Sequence, residues 1–138
     1  MSSLARCVPL IAAGLFFPVA AAFDDNSPSV NYMLHCQGCH LPGGIGHPGI
    51  VPNMRNQVGL FLRSNAGRAY LVQVPGAAQS SLDDAALAAV INWMLAEFDP
   101  VNVKPNFKKF TAAEVAAYRP ISIIKLSETR RALLAGEN

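Results

Sequence analysis

Apolar residues recur at helical spacing in the strongest segment of this 138-residue chain, where Leu87, Val90, Ile91, Met94 and Phe98 share one face. Ser81-Leu82-Asp83-Asp84 precedes them as a capping box, with acid at the positive helix end. Asp99-Pro100 ends the run, so a helix is predicted over 82–98. A shorter helix is expected over 28–36, with Ser27 as cap, Pro28 at the first helical position and Val30, Met33 and Leu34 facing a core. Residues 41–49 hold four glycines and two prolines, which excludes regular structure. A third helix is predicted over 55–64, closed by Asn65-Ala66-Gly67. Residues 68–74 fit a short helix or an extended segment, and Pro75-Gly76 breaks the chain. Residues 99–109 read as a linker. Thr111-Ala112-Ala113-Glu114 opens a short helix stopped by Pro120, and a last helix covers 127–135 with Gly136 as its C-cap. The expected fold class is all-α, without internal repeats.

The N-terminus changes the domain count. Arg6 precedes an apolar run to Phe17, and Ala20-Ala21-Ala22 fits a small-residue cleavage site. Residues 1–22 are therefore expected to be a secretory signal peptide, which implies a periplasmic location. The run is too short and too interrupted by Pro9 and Pro18 to span a bilayer well, and no later stretch is long enough for a membrane span. The remaining residues suffice for one small domain, expected over 23–98, with 99–138 as a linker and C-terminal helical extension.

A formal net charge of +2 is too mild to suggest nucleic acid as a partner. The charge is uneven, however. Residues 23–98 have a surplus of acid, whereas Lys104, Lys108, Lys109, Arg119, Arg130 and Arg131 make the extension basic. That cluster is suited to docking an acidic partner, and equally to being a solvated tail. The amphipathic pieces 115–118 and 121–126 suggest that the extension packs back on the domain or onto a partner.

The densest chemical information is Cys36-Gln37-Gly38-Cys39-His40, the C-x-x-C-H pattern of covalent c-type haem attachment. Two thiols add to the two vinyl groups of one porphyrin, so they must lie about one helical turn apart. A His directly after the second thiol reaches one axial face of the iron, where imidazole is a strong donor. A zinc site would need a second ligand pair. No Cys follows Cys39, and His35, His40 and His47 are the only histidines. After cleavage only Cys36 and Cys39 would remain, both consumed by haem. The expected cofactor is thus one haem c, held through two thioethers, with His40 as metal ligand. The haem would form part of a small core.

With these residues in place, the chain resembles the class I cytochrome c family over about residues 27–98. The likeness comprises an N-terminal helix ending in Cys36-Gln37-Gly38-Cys39-His40, a Gly-rich loop, Pro52-Asn53-Met54, and a capped helix at 82–98. In that family a Pro-Asn-Leu stands at this spacing. The resemblance implies that the Pro52 carbonyl accepts a hydrogen bond from the far nitrogen of His40, orienting the ring. It also implies that Met54 packs on the proximal haem face. The implied fold is a small helical domain wrapped around one covalently attached haem, with helix 82–98 crossing the first helix.

The chain departs from the family at the distal ligand, normally a Met before a Pro. Aligned on Pro75, that position is Val74, which cannot bind iron. The sixth ligand is left open among Met54, Met94, Met33, His47, His35, Gln73, Gln79, Lys104, water and no ligand at all. Met94 and Met33 read rather as core, and His47 rather as a solvated loop side chain. Trp93 and Tyr70 fit either the haem edge or ordinary packing. Arg55, Arg63 and Arg68 are candidates for a haem carboxylate, or solvated surface groups.

The resemblance implies an electron carrier rather than an enzyme, acting between a donor and an acceptor protein, as a monomer unless 99–138 docks a partner. No nucleophile–base pair or carboxylate dyad is evident. Two alternatives stand beside it. The absent distal Met suits a small-ligand binder for NO, CO or peroxide, and the extension suits a dedicated electron-transfer subunit of a periplasmic dehydrogenase.

Overall fold

A computed structural model describes residues 27–136, and the expected signal peptide lies outside them. Among the described residues the chain is helical without strands, as the all-α expectation required. No helix there is long and apolar enough to cross a membrane.

Helix α1, Pro28–His35, begins as expected: Ser27 caps it by accepting a hydrogen bond from the Val30 amide, and Pro28 needs no donor there. Its buried face differs from the expected one. Asn31 and Tyr32 are inside, while Met33 and Leu34 are exposed. The reason is aromatic packing. Tyr32 meets Trp93 at 5.4 Å and Phe98 at 5.1 Å between ring centroids, so α1 turns its largest side chain toward them. Trp93 accordingly belongs to the core.

One helical turn, α2 (Gln37–His40), carries the C-x-x-C-H residues. The glycine-rich stretch after it is more ordered than expected. It forms a 3-10 turn at Pro42–Gly44 and an isolated bridge between His47 and Val51. Gly46 has φ +71°, and a Cβ there would strike the carbonyls of Val51 and Pro52.

The helix predicted over 55–64 is replaced by a tighter 3-10 segment, Val58–Arg63. Asn65-Ala66-Gly67 opens a helix instead of closing one. Ser64 caps α3, Asn65–Gln73, by accepting from the Gly67 amide at 3.1 Å. Gly67 is needed for close approach, because a Cβ there would collide with the Phe61 carbonyl. Residues 68–73 are thereby helical rather than extended. Pro75 starts the one-turn helix α4, Pro75–Ala78.

Helix α5, Asp84–Phe98, starts two residues later than a Ser81 cap would have it, because Asp83 accepts from the Ala86 amide at 2.7 Å. Leu87, Val90, Ile91, Leu95 and Phe98 are buried along it. The C-terminal residues add α6, Ala112–Tyr118, capped by Thr111 as predicted, and α7, Leu126–Ala135, ending on the left-handed Gly136.

Residues 99–136 pack back on the body, and Val103, Phe110 and Val115 join the same core. Three polar devices fix them. Asp99, fully buried, accepts from the Gly59 amide at 2.7 Å and from the Asn102 amide at 3.0 Å. The Asn92 side chain both donates to and accepts from the backbone of Phe110. Arg119 donates to the carbonyls of Ala78, Ser80 and Leu82 and to the Asp84 carboxylate. Arg119 is therefore spent inside the molecule and is not a docking cation. Arg68 is likewise no surface group. It is buried against Glu114 and lies over the Phe110 ring at 3.9 Å.

Candidate functional site

The helical turn α2 sets the spacing of the two thiols. The Cys39 amide donates to the Cys36 carbonyl at 3.2 Å and the His40 amide to the same oxygen at 3.0 Å. Both cysteines are free; Cys36 is half-buried and Cys39 exposed. Burial, and then the neighbouring Cys39, push the Cys36 thiol up to about 11. The thiol is thus protonated at neutral pH.

The segment carrying Pro52 and Met54 is clamped against this turn. The Gly46 amide donates to the His40 carbonyl at 2.9 Å, and the Met54 amide to the Gly44 carbonyl at 2.8 Å. Tyr32 secures the other side by donating its hydroxyl to the Leu41 carbonyl at 2.7 Å. Its pKa is pushed up to about 12, chiefly by burial and next by Cys36, against the lowering effect of the Gly44 backbone.

His40 is held in a low-polarity setting. Burial lowers its pKa, and the backbone of Pro52 works in the opposite direction. Even so, Nδ1 is buried with no hydrogen-bond partner, so the approach of Pro52 falls short of hydrogen-bond geometry.

Cys36, Cys39, His40, Pro52 and Met54 all line one cavity of about 710 Å³. That volume falls within the ~300–1,000 Å³ of small-molecule and cofactor sites. Its walls are mainly apolar, with Val58 and Phe61 from the 3-10 segment, Leu71 and Val74 from the α3 region, and Leu87, Val90 and Ile91 from α5. Of the donors weighed for iron, Met54, Met94 and His35 line the cavity. Met33, His47, Gln73, Gln79 and Lys104 do not. Tyr70 lines it, whereas Trp93, Arg55, Arg63 and Arg68 do not.

Sequence reasoning missed what the C-terminal helix adds. Leu126, Ser127, Arg130 and Arg131 line the same cavity, as does Gln57. In the sequence the two arginines belong only to a basic cluster, since no local pattern ties α7 to residue 36.

Among the described residues no group of three or more His, Cys, Asp or Glu side chains converges as an ion site. The chain matches no protein-family model, and no curated protein gives a significant match.

Proposed function

We propose that this protein is a mono-haem c-type cytochrome of the class I kind that carries single electrons between redox partners in the periplasm. The observation that carries the reading is a convergence: two free thiols one turn apart and the imidazole of His40 line one apolar cavity of cofactor size. Cys36 and Cys39 would hold the porphyrin through thioethers, and His40 would supply the axial nitrogen. Haem iron, when bound, supplies a one-electron couple. The chain's part is to position the group and control its surroundings. Val58, Phe61, Val74, Val90 and Ile91 keep water from the cavity, and a low dielectric there favours the less charged oxidation state. The exposed Cys39 marks the side on which an edge of the group would reach solvent, as transfer to a partner requires.

A ligand-binding role is the second reading, favoured by Val74, which lines the cavity without a donor atom. One measurement separates the two: optical spectra of the full chain matured in a periplasmic haem-attachment host, ferric and ferrous, with and without CO. Low-spin ferrous bands insensitive to CO are expected of the carrier. A high-spin spectrum that shifts with CO would replace it by the ligand binder, and a chain without covalent haem would overturn both.

A further inference from the structure

The cavity that holds the haem-attachment residues has cations in its lining but no acid. Among the described residues, Arg130 and Arg131, both from α7, are its only Lys or Arg side chains, and no Asp or Glu lines it. Arg130 donates to the neutral Gln57 Oε1 at 2.8 Å, and its guanidinium lies 5.9 Å from the centre of the Phe61 ring. The ion pairs of the described residues are Arg68–Glu114, Arg119–Asp84 and Lys125–Glu128, so neither arginine has a carboxylate there. Arg130 is half-buried and Arg131 exposed, so the two put positive charge at the rim of an apolar cavity, where an anion is favoured. Guanidinium groups match carboxylates in shape as well as charge.

We propose that Arg130 and Arg131 hold the two carboxylate groups of the tetrapyrrole, which makes α7 a clasp over the cofactor site and not a docking tail. This rests on the haem reading above. It assigns to the extension a role that residues 27–98 cannot fill, since Arg55, Arg63 and Arg68 lie outside the cavity.

The test compares the matured full chain with Arg130→Leu/Arg131→Leu, with Arg130→Lys/Arg131→Lys, and with Lys104→Leu/Lys109→Leu, which removes the same charge from exposed positions. Redox titration from pH 5 to 8 at fixed salt is the readout, with circular dichroism as a check on folding. The Leu pair on α7 is expected to shift the ferric/ferrous equilibrium roughly tenfold toward ferric at pH 7, because two nearby cations are lost. It should also add a pH dependence as the freed carboxylates titrate. The Lys pair should keep most of the wild-type value. A shift no larger than that of the Lys104/Lys109 control overturns the clasp while leaving the haem reading intact, and a wild-type chain lacking covalent haem overturns both.

Discussion

Arg68 and Glu114, 46 positions apart, meet in a two-pronged pair, with Nε donating to Oε1 at 2.7 Å and Nη2 to Oε2 at 2.8 Å. Arg68 also donates to the Lys108 carbonyl at 2.9 Å, so one side chain ties α3 to both the approach to α6 and α6 itself. Hydrogen bonding to Arg68 holds the Glu114 carboxyl below its ordinary pKa. A depressed folded-state value means that this stabilisation is complete above the ordinary carboxylate range. It is lost as pH falls through the folded value. Arg68→Met should cost about 2–4 kcal/mol, less than a fully buried pair because Glu114 can rehydrate. Thermal melts of wild type and Glu114→Gln should therefore converge as pH falls from 6 to 3. Parallel curves would show that the pair contributes nothing pH-dependent.

Asp99 is a buried carboxylate whose partners are the amides of Gly59 and Asn102 and the Asn102 side chain. Asp99→Ala would leave the Gly59 N–H without its acceptor. Hydrogen bonds to a charged group are worth about 1.5–3 kcal/mol each, so a loss of about 3 kcal/mol is expected by urea denaturation. Asp99→Asn should recover part of it, since one oxygen remains as an acceptor.

Gly46 connects backbone conformation to the site. Its φ of +71° disfavours any side chain, and a Cβ would press on the segment that holds Pro52 beside His40. Gly46→Ala should destabilise the protein by about 1–3 kcal/mol. On the proposed haem reading it should also lower the yield of covalent haem per chain, measured as a pyridine haemochrome. Gly49→Ala, also at positive φ but in open space, separates strain from collision. It should lower stability without the loss of haem.

Met54 and Met94 both line the cavity but from different places. Met54 follows Pro52 on the His40 side, whereas Met94 extends the α5 stripe of Leu87, Val90 and Ile91. On the proposed haem reading, with Met94 as sixth ligand, Met94→Leu is expected to convert the ferrous spectrum from CO-insensitive to CO-binding, and Met54→Leu to leave it unchanged. The reverse pattern would assign the thioether to Met54.

The pH behaviour of His40 in the haem-free chain has a definite sign. Its pKa is lowered by burial, so the unfolded chain binds the proton more readily. Stability of the haem-free protein should fall as pH drops below about 6.5. His40→Gln should flatten that part of the profile, as followed by chemical denaturation at a series of pH values.

Much of the local structure was legible from residue types alone. Pro28 after Ser27, Thr111 three residues before Glu114, and Gly136 all sit where capping chemistry places them. Local patterns misled where a long-range neighbour chose between local options. Gly67 resembles a helix stop, yet it lies inside α3 because Phe61 presses against it. Glu114 has the position of a capping-box partner, but Arg68 claims both of its oxygens. Met33 and Leu34 have an apolar pattern, but Tyr32 has the aromatic partners.

By itself the sequence determined the helical class, the one-turn spacing of Cys36 and Cys39, and the neighbouring His40, because each depends on residues a few positions apart. Only the tertiary structure decided which side chains surround the cavity. It brought Met94 from α5 and Arg130 and Arg131 from α7 to the same space as Cys36. It also drew Arg68 and Arg119 inward. Those choices depend on burying α6 against α5 and satisfying carbonyls and carboxylates far apart in the chain, a balance that no local pattern contains.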